Sequence, residues 1–485
     1  MIRFLKVIIL VVALSQGAYA FGFSSITNYF QDYFLQDESL KSFLTDYYKA
    51  FPKSEQKAAR EQGDVYKEAY FLYIENYIYQ VTSTQKEKVN NTAKATLKDT
   101  IAKLKKSNKP LKADKVMEAI MDKVFNNIDA HTVWMSPKQS SEFMEQLTGN
   151  HKGIGILFNY DKQKSMIHII KVFNNGPAEK AGLKKNDYIY AVEGKPILPN
   201  SKLEDVIASI KGEKGTKVQL TIESNNKKRE VVVTRGDYYV PSVEYSKLSN
   251  NYGYISINSF NNDTVSLFKQ ALIKLNVNKL DGLVLDVRSN PGGLLTSVVL
   301  IADLFLSGET IVSIEGRIEE NNHQFVSQDT IKIRKKLPVI MLTNFMSASA
   351  AELLSGSLSL NNRAILMGAP TFGKWSVQNS FTLKNSSIFN VTTQLFYAPH
   401  HATFQGIGIM PDIYIKDKYT KAEFREKDYK NYLKIKDNYN KKPQITINDT
   451  SCPEYGVDKD RILGCAVLFL KSNQNNKVFL EKIKK

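Results

Sequence analysis

Cysteine is nearly missing from this chain: 485 residues contain two, Cys452 and Cys465. CxxC zinc sites and CxxC redox pairs are therefore excluded. No HExxH zinc helix and no GxSxG nucleophile elbow occurs either, which removes the commonest metalloprotease and α/β-hydrolase signatures. After the first residues, no stretch approaches the length of a transmembrane helix. Internal repeats and Pro- or Ser-rich linkers are absent. The net charge of +17 comes mostly from scattered lysines. Without a zinc finger or an aromatic-basic RNA motif it argues for no nucleic-acid partner. Attraction to an anionic membrane or envelope is the milder reading. No metal or cofactor is expected. The length is enough for about three domains with a substantial core.

What is present begins with a leader. Arg3 and Lys6 precede an apolar run, Val7 to Leu14, and then Ala18-Tyr19-Ala20. A basic start, a short apolar segment and an A-x-A site read as a secretory signal peptide over residues 1–20. An uncleaved anchor is the alternative, and membrane association is expected only in that case. An exported, periplasmic or envelope-side protein meets oxidising conditions. Cys452 and Cys465 can then join, or remain two free buried thiols.

Residues 21–150 are helical in flavour. "KADKVMEAIMDKVFNNI" sets Val116, Ile120, Val124 and Ile128 on one helical face, a core stripe. At Lys152 the texture changes to short alternating strands with Gly-centred turns. "SKLEDVIASI" then has the spacing of a capping box, Ser201 with Glu204, ahead of an apolar helix face. Residues 151–237, with Gly176-Pro177-Ala178, Ala181-Gly182-Leu183 and Asp187, resemble a PDZ domain. The resemblance implies an extended peptide C-terminus added as a strand. Its carboxylate would sit at the loop Gly153, Ile154, Gly155, Ile156, beside a helix presenting Leu203 and Ile207. Asn186 stands where that family usually has glycine, and asparagine tolerates the left-handed conformation.

From 238 to 415 strands and helices alternate. "GAPTFGKWSVQ" nearly spells a phosphate-binding loop, Gly368 to Lys374, but Trp375 replaces the Ser or Thr and strands follow instead of a helix. "DGLVLDVRSNPGG" and "LPVIMLTNFMSASAAELLSG" are buried strands running into turns, where exposed side chains and free amides gather at a sheet edge. With "TFGKWSVQ" and "GIGIMPDI" in this order, and a PDZ-like domain before them, the chain resembles the carboxyl-terminal processing peptidases, or tail-specific proteases.

That resemblance, over about residues 115–415, implies an α+β multidomain fold. Its parts are a helical N-terminal region, a PDZ β-domain, an α/β (crotonase/ClpP-like) protease core and a polar C-terminal tail, 416–485, with helix near "DRILGCAVLFLKS". It implies Ser349 as nucleophile, Lys374 as general base and Gln378 orienting that base. Substrates would be proteins or peptides with exposed apolar C-termini; the oligomeric state is left open. A lysine is a base only when neutral, so its amine must be desolvated, and Phe372 and Trp375 flank it. The oxyanion needs two donors: the Ala350 amide at a helix start, and an amide of the Pro-Gly-Gly loop, Gly292 in preference to Gly293. Three points stay open on the residues alone. Ser347 is an alternative nucleophile, Ser349 with Glu352 has capping-box spacing, and a dead PDZ scaffold is an alternative function. Trp375 stands where the family usually has glycine. His131, in "DAHTVWMSP", reads as structural.

Overall fold

The computed structural model describes residues 37–161, 164–199, 201–224, 227–328, 333–416, 424–436 and 439–483. The leader read at residues 1–20 lies outside them. Two compact units emerge: one spans Glu142–Ser242 with Asn261–Asp263, the other everything else. The helical N-terminal region thus belongs with the 243–485 portion and forms no separate body.

In that larger unit the chain starts with α1 (Glu38–Lys49), α2 (Gln56–Asn76), α3 (Ser83–Lys106) and α4 (Ala113–Phe125). Asp37 caps α1 through Leu40 N–H, and Thr82 with Gln85 forms a capping box on α3. Val116, Ile120 and Val124 of α4 are buried as their spacing requires, with Phe43, Tyr47 and Tyr66 from α1 and α2. The short strand β1 (Val133–Met135) and α5 (Pro137–Thr148) follow. Trp134 and Phe389 belong to the same helical core, so these helices are built onto a sheet of the larger unit.

The smaller unit begins within α5, at Glu142, and its first strand, β2 (Asn150–Gly153), pairs antiparallel with the closing strand β9 (Gly236–Tyr239). Between them run β3 (Ile156–Asp161), β4 (Met166–Val172), the single turn α6 (Pro177–Lys180), β5 (Tyr188–Val192), β6 (Lys195–Pro196), α7 (Leu203–Ile210), β7 (Lys217–Ser224) and β8 (Lys227–Thr234). The sheet order is β3-β4-β5-β7-β8, with Ile167, Ile189, Val218, Leu220 and Val233 fully buried. Asn186 has φ +72°, the left-handed geometry for which asparagine substitutes for glycine. The capping-box reading of Ser201 does not hold. Lys202 is the N-cap residue of α7, and the Ser201 hydroxyl accepts from Leu198 N–H, closing the preceding turn.

The larger unit resumes with β10 (Val243–Lys247), β11 (Tyr252–Ile257), α8 (Thr264–Lys274), β12 (Gly282–Asp286), α9 (Leu295–Ala302), β13 (Thr310–Gly316), β14 (His323–Val326) and β15 (Val339–Thr343). Then come α10 (Ala350–Leu360), β16 (Ile365–Gly368), β17 (Ser376–Thr382), β18 (Ile388–Tyr397), β19 (Ile413–Lys416), β20 (Ile445–Asn448), α11 (Arg461–Lys471) and α12 (Asn476–Ile483). Its main sheet has the order β10-β11-β12-β15-β16-β19-β20, parallel from β11 onward. β12 and β15 are buried at every position, as continuous apolar strands of a covered parallel sheet are.

The last seventy residues are more than a polar tail. β20 extends the main sheet, and Cys465, Ala466, Phe469 and Leu470 of α11 pack on Val284, Ile340 and Met367. The polar residues between these segments mask an apolar helix face in the composition. Cys452 and Cys465 are joined as a disulfide, with Cα atoms 5.0 Å apart.

Candidate active site

Adjacent parallel strands β12, β15 and β16 deliver three loops to one edge of the main sheet, at their carboxyl ends. These loops are Val287–Leu294, Asn344–Ser349 and Ala369–Trp375, and they carry the residues singled out above. Strand ends of a parallel sheet leave backbone groups free of the ladder, so reactive groups collect there.

Ser349 occupies the turn between β15 and α10 with φ +54° and ψ −118°, a conformation costly for any residue with a side chain. The strain is of order 1–3 kcal/mol and persists because neighbours over-determine it. Its N–H donates to Glu352 Oε2 at 2.9 Å, and its carbonyl accepts from Leu353 N–H at 2.9 Å. Ser349 is partly exposed, whereas Ser347 is fully buried and its hydroxyl donates to the Val287 carbonyl at 2.8 Å. Ser347 therefore ties two loops together and cannot meet a substrate.

Gly292 lies against Ser349. A methyl group built on it would be 2.8 Å from Ser349 Cβ and 3.0 Å from the Ala350 nitrogen, so only glycine fits there. The Gly292 N–H donates to Asn290 Oδ1 at 2.8 Å, and its carbonyl accepts from Phe260 N–H. Gly293 bridges to Phe260 so closely that a methyl would sit 1.9 Å from the Phe260 oxygen. Ala350 opens α10, where no intrahelical carbonyl can reach its N–H.

The Lys374 loop is fixed from several sides. Glu352 accepts from Gly373 N–H at 2.7 Å, Lys374 N–H at 2.8 Å and the Thr371 hydroxyl at 2.6 Å. Gln405 Oε1 accepts from Trp375 N–H at 2.7 Å, and Glu426 N–H donates to the Phe372 carbonyl. One buried carboxylate, Glu352, thus holds the amide of Ser349 and the amide of Lys374 together. Burial pushes that carboxyl up to about 7, against the four donors that favour its charge.

Burial is also the largest influence on the Lys374 amine and lowers its pKa, against the raising charges of Glu426, Asp129 and Glu352. No hydrogen bond joins Lys374 Nζ to the Ser349 hydroxyl among the described residues. Gln378 sits at a bulge in β17, and its amide nitrogen donates to Ser376 Oγ at 2.9 Å and Thr392 Oγ1 at 3.3 Å. Trp375 does not line the site. Its side chain is fully buried, against Phe404 and above Gly356 of α10, so it fills core behind the loop. Phe372, by contrast, stays partly exposed and meets Tyr429 of the segment that begins at Phe424.

Three groups near the lysine were given no part in the site by the sequence, which marked His131 as structural only. Glu426 is fully buried, with one oxygen 2.7 Å from His131 Nε2 and the other accepting from Gln405 Nε2 at 2.9 Å. Asp129 accepts from His131 N–H, Thr132 N–H and both the Thr132 and Thr392 hydroxyls. The imidazole of His131 has its pKa lowered, first by burial and then by the Lys374 charge. Only the Asp-Ala-His turn was visible in sequence.

In the smaller unit, Gly153 ends β2 and Gly155 has φ +78°. The Ile154 carbonyl accepts from Ala178 N–H at 2.7 Å and the Gly155 carbonyl from Phe173 N–H at 3.0 Å, which rigidifies the loop entering β3 at Ile156. Among the described residues β3 pairs with β4 alone, leaving its other edge open. On α7, Val206 and Ile210 are buried while Leu203 and Ile207 stay partly exposed.

Known proteins share these features. Peptidase family S41 matches residues 251–415, and the PDZ domain family matches 152–234. A probable CtpA-like serine protease of Staphylococcus aureus is 33% identical over 305 residues, covering 62% of this chain and 60% of that protein. Its counterpart in Staphylococcus haemolyticus is 33% identical over 302 residues, with the same coverage. The chain spans about 60% of the length of these curated relatives. Among solved structures, the photosystem II D1 C-terminal processing protease is 24% identical, with a TM-score of 0.45, over 73% of this chain and 92% of that one. Residues 251–415 thus match the S41 peptidases and residues 152–234 the PDZ domains, and the chain is similar to CtpA-like serine proteases.

Proposed function

We propose that this chain is an exported serine endopeptidase that cleaves proteins near their C-termini, with Ser349 as nucleophile and Lys374 as general base. The observation that carries the reading is the Glu352 junction: a strained, accessible serine and a desolvated lysine hang on one buried carboxylate. A serine hydroxyl attacks only when a neighbour takes its proton, and a lysine does so only when burial keeps it neutral. Lys374 accepts the Ser349 proton as the oxygen bonds to the scissile carbonyl, then returns it to the leaving amine. Water completes the cycle by hydrolysing the acyl-enzyme. Gln378 orients the amine from β17.

The developing oxyanion is held by Ala350 N–H and Gly293 N–H, because Gly292 N–H is already donated to Asn290 Oδ1. Gly292 supplies space, not a donor. The PDZ domain holds an apolar substrate tail along the open edge of β3, its carboxylate at Gly153–Ile156 and its side chains beside Leu203 and Ile207. Export follows from the leader read at residues 1–20. No helix of the described residues is long and apolar enough to cross a membrane.

The test is a mass-spectrometric time course on a peptide ending in small apolar residues. Cleavage by the purified chain, abolished in Ser349→Ala and Lys374→Ala, is expected. Binding without cleavage by the unaltered chain identifies an inactive PDZ scaffold and overturns the reading. Tail capture is checked with full-length Ser349→Ala: amidating the peptide's C-terminus should weaken binding, and equal affinity for acid and amide refutes carboxylate recognition.

A further inference from the structure

The segment Phe424–Lys436 contributes to the lysine's surroundings from more than fifty residues away in sequence. Glu426 N–H donates to the Phe372 carbonyl, and the Glu426 carboxylate reaches the Trp375 amide through Gln405, so the residues flanking Lys374 are both attached to it. Tyr429 sets its ring edge-on to Phe372, Phe424 and His131, and Leu433 anchors the segment in the helical core. These contacts fix the segment against the loop that carries Lys374.

A base that is neutral through desolvation faces a difficulty in the act of catalysis. Taking the serine proton makes it a buried ammonium, which is costly without an opposite charge nearby. Four titratable groups act on it through their charge: Glu426 and His131, Asp129 from the turn before β1, and Glu352 from α10. Glu352 is occupied by four donors and Asp129 by four. The Glu426 carboxylate has two hydrogen-bond partners among the described residues, Gln405 and the imidazole.

We infer that Glu426 is a positioning residue for Lys374, its carboxylate supplying the counter-charge for the ammonium that forms when Lys374 takes the Ser349 proton. His131 moderates it, holding the carboxylate by one hydrogen bond so that the lysine stays neutral in the resting enzyme. The inference rests on Lys374 being the base.

The experiment is kcat/KM against pH, on the full chain and a cleaved peptide, for wild type, Glu426→Gln, His131→Phe and Lys374→Ala. With the carboxylate neutralised, Lys374 loses its stabilising charge and deprotonates at lower pH. In Glu426→Gln the rising limb should therefore move to lower pH and the plateau fall on the order of tenfold to a hundredfold, because a weaker base accepts the proton less readily. In His131→Phe the carboxylate is freed toward the amine, and the limb should move to higher pH. A Glu426→Gln limb at the wild-type position overturns the proposal, whatever the plateau does. Should Glu426→Gln fail to fold, His131→Phe decides by itself, and an unmoved limb there overturns it equally. An active Lys374→Ala sinks the assignment of the base; an inactive one beside unmoved limbs sinks only the role of Glu426.

Discussion

Replacing Glu352 with glutamine isolates what the central carboxylate does. Its Oε1 accepts from the Thr371 hydroxyl and Gly373 N–H, and its Oε2 from Ser349 N–H and Lys374 N–H. A glutamine keeps one oxygen, and the less costly orientation leaves it on Ser349 and Lys374. The Thr371 hydroxyl can rotate to accept from the new amide, so one buried donor, Gly373 N–H, loses its acceptor at about 1–3 kcal/mol. Alanine leaves all four donors unpaired and costs upwards of about 4 kcal/mol.

The charge acts in the other direction. The carboxyl is raised from 4.5 to about 7, so the folded state holds its proton more tightly than the unfolded state does. Between those values stability must fall as pH rises, by about 3 kcal/mol in total from this group. Denaturant melts across that window should show the decline in wild type and a flatter profile in Glu352→Gln, while peptide cleavage drops because the Ser349 and Lys374 loops loosen. An undiminished decline in Glu352→Gln, or wild-type cleavage by it, refutes the reasoning.

Other substitutions make separable demands. Gly292→Ala should cost about 1–3 kcal/mol from its positive φ and remove cleavage through collision with Ser349, read by melting and peptide assay. Trp375→Gly, the residue usual in the family, should destabilise by about 3–5 kcal/mol, since the side chain fills core against Phe404. Its indole N–H has no partner among the described residues, so Trp375→Phe should cost far less in the same melts. Reducing the Cys452–Cys465 bridge, which closes a loop of separation 13, should lower stability by about 3 kcal/mol without abolishing cleavage. Two alkylatable thiols in non-reducing peptide mapping would contradict the bridge.

Much of this was legible in the sequence because the information is local. A buried strand, a turn and a helix start are each written within a dozen residues, which fixed the neighbourhoods of Gly292, Ser349 and Lys374. The helix face at Val116, Ile120 and Val124 was readable for the same reason. What stayed hidden depends on long-range pairing. Glu352 has the spacing of a helix cap, and that local reading conceals its bonds to Thr371, Gly373 and Lys374. His131 and Glu426 meet across 295 positions, with no pattern at either to announce the other. Trp375 beside the lysine suggested a residue that dries the amine, but its side chain leaves the loop for the core and packs on Phe404, a partner well beyond it in sequence.

The central claim is that Ser349 is activated by Lys374. A serine-directed phosphonylating probe, followed by peptide mapping, tests this without assuming a substrate. The account predicts a single adduct on Ser349, forming faster as pH rises and forming hardly at all in Lys374→Ala. An adduct on another residue, or labelling of Ser349 at the wild-type rate in Lys374→Ala, would contradict it.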